Sequence, residues 1–199
     1  IESSLGFDPI HKGDVVDGRG SNAAMIGYKF RELLNDNYAP RPTFIYKCRP
    51  YHMHIIFEDI IKAAVYTRSL IQYEGTSDEM GRYLKDRGYD AWVAFKIGSK
   101  KLKGDAPRGK NGGQLVQNAM EVIDILTNLP LDENKPYLLD LYWFEQLLEE
   151  IETFNPEDTH KFDLFMAYVQ ALLGAMKMSS VKKKITDKLS NVMINYILS

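Results

Sequence analysis

Between Met53 and Phe95 the apolar period switches back and forth, and this limits the available folds more than any other stretch. Ile56, Ile60, Ala63 and Ala64 recur at helical spacing over 53–67. Ser69-Leu70-Ile71-Gln72-Tyr73-Glu74-Gly75 then reads as a buried strand. A helix follows from Ser77 to Arg87, with Ser77 as N-cap and Gly88 as the closing residue. Ala91 to Phe95, AWVAF, reads as a further strand. Strand–helix–strand order implies parallel pairing through right-handed crossovers. Ligand sites in such sheets gather at the carboxyl ends of strands, and Glu74 is the residue delivered there.

Upstream, 3–7 forms a short strand ending at Asp8, and AAMIGYKF (23–30) and PTFIYKCR (42–49) form two more. Short links between them suggest an antiparallel meander. The loop 9–22 is rich in glycine and charge and carries Asp14 and Asp17, rivals to Asp8 as a ligand. Downstream the pattern is helical: Gln114–Thr127, Tyr137–Phe154, a helix opened by Asn155-Pro156-Glu157-Asp158 and running to about Lys177, and a last one over 180–199. The expected class is α/β, a central mixed sheet of five or more strands flanked by helices. Residues 1–178 make one domain, with 179–199 a C-terminal helix packed on it or extending from it.

Composition excludes several functions. A net charge of −2 makes the molecule as a whole unlike a basic nucleic-acid binder, so positive surface must be local. The hydrophobic fraction of 45% argues for a folded globule. Cys48 is the single cysteine, which rules out an internal disulfide and a cysteine-based zinc site and fits a reducing interior. No run approaches the roughly 18 apolar residues of a membrane span, and no secretory signal is visible. A chain that starts at Ile1 is expected to be processed or cut from something longer.

The chemistry rests on carboxylates. In the helix expected over 156–177, Phe162, Phe165, Met166, Val169 and Leu173 form the buried stripe, and Asp163 stands beside it. Placed beyond the first turn, Asp163 is poorly explained by the helix dipole, whereas Asp158 is fully explained by it. An acid next to a packed face needs a partner, and a metal is one. His160 precedes Asp163 by three positions and shares its side of such a helix. Taken singly, each acid is more often a surface or capping residue. Together, Asp8, Glu74 and Asp163 are hard oxygen donors suited to Mg²⁺ or Mn²⁺, and two such ions can drive phosphodiester hydrolysis. No GxxxxGK[ST] loop, HExxH or GxSxG motif competes with them. Segment 96–113 holds Lys96, Lys100, Lys101, Lys103, Arg108 and Lys110 against Asp105, either a solvated loop or an arm for phosphates.

Four motifs in order carry a resemblance: Phe7-Asp8 closing the first strand; Gly18-Arg19-Gly20-Ser21-Asn22-Ala23-Ala24 opening the second; Ile71-Gln72-Tyr73-Glu74-Gly75 before a helix with Gly81; and Asp158-Thr159-His160-Lys161-Phe162-Asp163 with Ala167 and Ala171 beyond. Over residues 3–177 the chain resembles the C-terminal nuclease domain of the large terminase subunit of tailed bacteriophages, an RNase H-like fold. The resemblance implies two Mg²⁺ or Mn²⁺ ions on Asp8, Glu74 and Asp163, with His160 assisting as ligand, outer-shell group or proton acceptor. It implies cutting of concatemeric viral DNA during genome packaging, with little sequence specificity, in the cytoplasm of an infected bacterial host. Lys100, Lys101, Lys103, Arg108 and Lys110 would lean on the DNA backbone, with Lys182, Lys183 and Lys184 next in line. Implied partners are double-stranded DNA, an ATPase domain of the same full-length protein, the portal and the small terminase subunit; no membrane is involved. There are departures: the loop after Asp8 is long, and Ser21-Asn22 stands where many members carry an aspartate, so Asp14 and Asp17 stay open as the first ligand. No ATPase motor fits within this chain. Other readings are a different RNase H-like nuclease, such as a Holliday-junction resolvase, or a catalytically silent DNA-binding module whose acids only cap and pair.

Overall fold

Strand β1 (Ser3–Asp8) is buried on both faces, and the fold is built outward from it. The computed structural model describes residues 2–9, 22–30, 40–74, 79–94, 105–106, 117, 119–124, 138–176 and 178, with the side chains of Glu74, Asp105, Ala106, Leu138 and His160 outside the description. Alternation along β1 sends Leu5 and Phe7 into one core and leaves Ser4, Gly6 and Asp8 on the opposite face. Strand β2 (Ala23–Lys29) pairs antiparallel with β1, and β3 (Arg41–Cys48) antiparallel with β2. Strand β4 (Ser69–Glu74) lies parallel to β1 on its other side. A two-residue strand, β5 (Asp105–Ala106), adds in parallel to β4, giving the order β3-β2-β1-β4-β5. The protein is therefore α/β with a mixed sheet. β1, β3 and β4 point the same way, so their carboxyl ends share one edge.

Helix α1 (Met53–Thr67) covers the first face. Ile56, Phe57, Ile60, Ile61 and Ala64 are its buried stripe. It stops at Arg68, which takes a left-handed conformation at φ 52° and returns its N–H to the last turn. The chain thus turns straight into β4. Helix α2 (Glu79–Asp86) buries Met80 and Leu84 and is followed by Gly88 at φ 77°, as its sequence predicts; Ser77 lies outside the described residues. The second face carries α3 (119–124), α4 (Glu145–Glu152) and α5 (163–176). Every residue from Phe162 to Ala171 is buried, so α5 is covered all round up to its last turn, where Met176 is exposed.

Close approach fixes α5 on the sheet. A Cβ placed on Gly6 would sit 1.9 Å from the Ala167 carbonyl and 2.4 Å from the Ala171 nitrogen. One on Gly174 would sit 2.3 Å from Ser4 Oγ. Strand position 4 therefore meets helix position 174, and position 6 meets 167 and 171. The helix runs antiparallel to β1. One more turn of α5 and two more residues of β1 each advance about 6 Å, which brings the start of α5 over Asp8.

Three expectations are corrected. Ala91–Ala94 is not a strand: Asp90–Trp92 is a 3-10 turn, and of these described residues only Val93 bridges to β4, opposite Ile71, while Phe95 lies outside the description. Pairing resumes at Asp105, opposite Tyr73, so the β4 edge is completed from inside the basic segment. The helix expected over 137–154 is broken. Leu138–Leu141 is a 3-10 turn, and Tyr142 then drops into the core to hydrogen-bond Tyr168 before α4 starts. The helix expected from Pro156 begins seven residues later. Asn155 Oδ1 instead takes the Glu157 N–H at 3.0 Å, Thr159–Lys161 forms a 3-10 turn, and the first α5 bond runs from Met166 N–H to the Phe162 carbonyl at 2.8 Å. An Asx turn thus outcompetes helix initiation at this point. The 179–199 helix lies outside the described residues. No helix among the described residues is long and apolar enough to cross a membrane.

Tyr28, Tyr142 and Tyr168 cluster beneath α5, with ring centroids 5.8 and 5.7 Å from Tyr168. Burial raises the Tyr168 phenol well above its ordinary 10.0, and the neighbouring tyrosines add to this. Burial raises Tyr142 as well, partly offset by its bond to Tyr168. A raised folded-state pKa means the phenols contribute fully below pH 10.0 and lose that contribution as pH climbs past it. Thermal stability should fall steeply above about pH 10, and Tyr168→Phe should flatten that fall. Melting curves on the two proteins with the same alkaline slope would contradict this role.

Candidate metal centre

Asp8 and Asp163 are both buried, with 7% and 2% of their surfaces exposed. Buried carboxylates are rare without compensation. Asp8 is the last residue of β1 and is paired in register with Ala24 of β2, which in turn faces Lys47 of β3. Asp8, Ala24 and Lys47 therefore form one row across the sheet, on the α5 side. Asp163 is the first residue of α5 and lies over the end of that row. Its Oδ2 accepts the Asn22 backbone N–H at 3.0 Å and the Asn22 Nδ2 at 3.3 Å. The Lys47 ammonium stands 3.5 Å from the same oxygen.

Glu74 ends β4. Phe7 pairs with Tyr73, so the next residue of each strand, Asp8 and Glu74, finishes at the same sheet edge. The backbone thus brings the three predicted acids to one place, from the ends of two neighbouring strands and the start of the helix above them. His160 occupies the 3-10 turn just before α5. Because that turn is not continuous with α5, the helical three-residue relation to Asp163 does not hold. Asp14, Asp17, Lys100, Lys101, Lys103, Arg108 and Lys110 lie outside the described residues. Among the described residues, no three His, Cys, Asp or Glu side chains form a group able to hold a metal ion.

Asp163 is compensated by the protein itself. At the first position of α5 it sits where the helix dipole favours an acid. Its burial is also matched by Lys47 and Asn22. Neither Lys47 nor Glu150 stood out in the sequence. Lys47 reads as an ordinary edge-strand lysine in PTFIYKCR, and Glu150 as a polar residue beside Ile151. Together they make a network that runs from the solvent-reached Lys47 to the covered start of α5. Lys47 Nζ donates to Glu150 Oε1 at 2.7 Å, and Glu150 Oε2 accepts the Phe165 N–H at 2.9 Å, within the first turn of α5. Burial pulls the Lys47 ammonium down, but the hydrogen bond and charge of Glu150, followed by Asp163, outweigh it and leave the pKa raised. Burial pushes the Glu150 carboxyl up, with Lys47 and the Phe165 N–H working against it. Asn22 did carry a signal, since it stands in the motif that opens the second strand.

Hard oxygen donors at the carboxyl edge of a sheet suit Mg²⁺ or Mn²⁺. Asp8 and Asp163 are donors of that type and are buried, and the backbone of Glu74 ends at the same edge. No family model, curated protein or solved structure matches the chain.

Proposed function

We propose that this domain is a divalent-metal-dependent endonuclease acting on double-stranded DNA through Asp8, Glu74 and Asp163. The observation that carries the reading is the delivery of all three residues to one edge of the sheet by β1, β4 and α5. The order β3-β2-β1-β4-β5, a meander followed by parallel crossovers, supports an RNase H-like fold. The motif resemblance narrows the reading to the nuclease domain of a phage large terminase, with an ATPase domain, the portal and the small terminase subunit as partners and the infected host's cytoplasm as its setting. Two Mg²⁺ or Mn²⁺ ions would activate a water and stabilise the leaving oxygen of a phosphodiester. Asp8 and Asp163 would hold them with Glu74, Asn22 would fix the Asp163 carboxylate, and His160 would assist from the turn before α5. The test is nicking and linearisation of supercoiled plasmid in Mn²⁺ or Mg²⁺, abolished by chelator. Intact plasmid under every metal condition would overturn the reading.

One observation favours a second reading. Asp163 is already compensated by Lys47, Asn22 and the α5 N-terminus, as in a silent DNA-binding module. A carboxylate-dependent metal site distinguishes the two.

Binding DNA requires local positive charge on a chain of net charge −2. Lys100, Lys101, Lys103, Arg108 and Lys110 are the proposed contacts. Asp105–Ala106 pairs with Tyr73 and Glu74, which ties this segment to the end of β4 beside the acids. Phosphate contacts read no bases, so sequence preference should be low. Each phosphate neutralised contributes about −0.9 to the slope of log K against log salt. Replacing Lys100, Lys101 and Lys103 by alanine should weaken binding to unrelated duplexes equally and flatten that slope. Binding isotherms across salt that match the parent would move the DNA track elsewhere, with Lys182, Lys183 and Lys184 next.

A further inference from the structure

The Lys47 ammonium stands between two carboxylates of unequal role. It is 2.7 Å from Glu150 Oε1 and 3.5 Å from Asp163 Oδ2. Both acids are well covered, at 12% and 3% side-chain exposure. Glu150 is pinned by the Phe165 N–H and cannot follow the lysine. Lysine, by contrast, is a point charge on a flexible four-carbon stem and can lean either way over a short distance. Its anchor on β3 lies in the same cross-sheet row as Asp8. A fixed positive charge beside a cation site repels the cation unless it is drawn aside.

Resting on the metal-centre reading above, we propose that Lys47 is the resident counter-ion of the carboxylate site and that Glu150 is its parking position. Without a divalent ion, the ammonium neutralises Asp163 and keeps the buried acids from repelling one another. When an ion binds, Glu150 holds the ammonium back and so removes a positive charge from beside the Asp163 carboxylate, whose Oδ2 stays on Asn22. Lys47 is thus a positioning residue that sets metal affinity. It is not a ligand.

The two partners should act with opposite sign. Removing the ammonium by Lys47→Met deletes a competitor and leaves Glu150 as additional negative charge. Mn²⁺ should then bind about tenfold more tightly even at the dielectric of water. The metal-free protein should melt lower, and the Mn²⁺-induced rise in Tm should grow. Glu150→Gln keeps an oxygen for the Phe165 N–H but removes the charge that holds Lys47. The ammonium then leans on Asp163, and Mn²⁺ should bind about tenfold more weakly by the same repulsion. Lys47→Arg should stay near the parent.

Isothermal titration with MnCl₂ alone, on the full chain and these variants, decides the matter. Opposite shifts for Lys47→Met and Glu150→Gln establish the counter-ion role. Unchanged affinities, or shifts in the same direction, overturn it and leave a purely structural ion pair. If Lys47→Met fails to fold, Glu150→Gln stands alone: weaker binding supports the role and parent-like binding refutes it. A parent that binds no Mn²⁺ overturns the metal-centre reading itself and this role with it.

Discussion

Asp163→Asn should cleave plasmid more than about a hundredfold more slowly than the parent, since even outer-shell partners of metal ligands cost 10–100-fold. The substitution is nearly isosteric, so the comparison isolates charge. Asparagine keeps an oxygen for the Asn22 N–H, and Lys47 keeps Glu150, its shorter contact. The fold should therefore survive, with a melting temperature close to that of the parent. Asp8→Asn and Glu74→Gln should lose activity to a similar extent, because the site needs all three oxygens at once. Undiminished cutting by Asp8→Asn alone would move the first ligand to Asp14 or Asp17. Undiminished cutting by all three would sink the mechanism, and the silent-module reading would replace it.

Gly6→Ala should unfold the domain or cost more than about 4 kcal/mol, the range reserved for severe overpacking. The added methyl meets backbone atoms, the Ala167 carbonyl at 1.9 Å and the Ala171 nitrogen at 2.4 Å. No rotamer change can relieve such a contact; only lifting α5 from β1 can. That movement would also carry Asp163 away from Asp8, so any folded remnant should be inactive. Gly88 provides the contrast. A Cβ there meets nothing within 4 Å, and only its φ of 77° opposes a side chain. Gly88→Ala should cost about 1 kcal/mol. Urea unfolding of both variants measures the difference, and equal costs would show that α5 does not pack on β1 this closely.

Local signals in the sequence were clear wherever a single element decides its own form. β1, α1, β4 and the close of α2 all fall where apolar period and capping place them. Two of the three misses originate in partners distant along the chain, and the third in a local side-chain bond that competes with the helix. AWVAF has the composition of a strand, but of its described residues only Val93 bridges to β4, and Asp105–Ala106 pairs with it further along. The run from Tyr137 is helical in pattern, yet the Tyr142–Tyr168 contact breaks it. Pro156 after Asn155 looks like a helix start, yet the Asn155 side chain closes a turn on Glu157 instead.

The candidate site divides along the same line. Asp8 and Glu74 could be singled out because each ends an apolar run, and strand ends are where α/β sheets place ligands. Asp163 opens α5 and does not lie beyond its first turn, because the helix starts later than Asn155-Pro156 suggests. Lys47 and Glu150 left no trace. Their meeting depends on β3 lying two strands from β1 and on α4 packing against the first turn of α5, and no local pattern encodes either.

The central claim is that Asp8, Glu74 and Asp163 together hold divalent metal. Anomalous diffraction at the manganese edge, on crystals soaked in MnCl₂, tests it most directly. The account predicts peaks about 2.0–2.2 Å from oxygens of all three carboxylates, the distance expected of a small hard divalent ion. It also predicts that Lys47 Nζ is withdrawn toward Glu150. A soaked crystal with no anomalous peak at this edge of the sheet, and Lys47 still spanning Glu150 and Asp163, would contradict it.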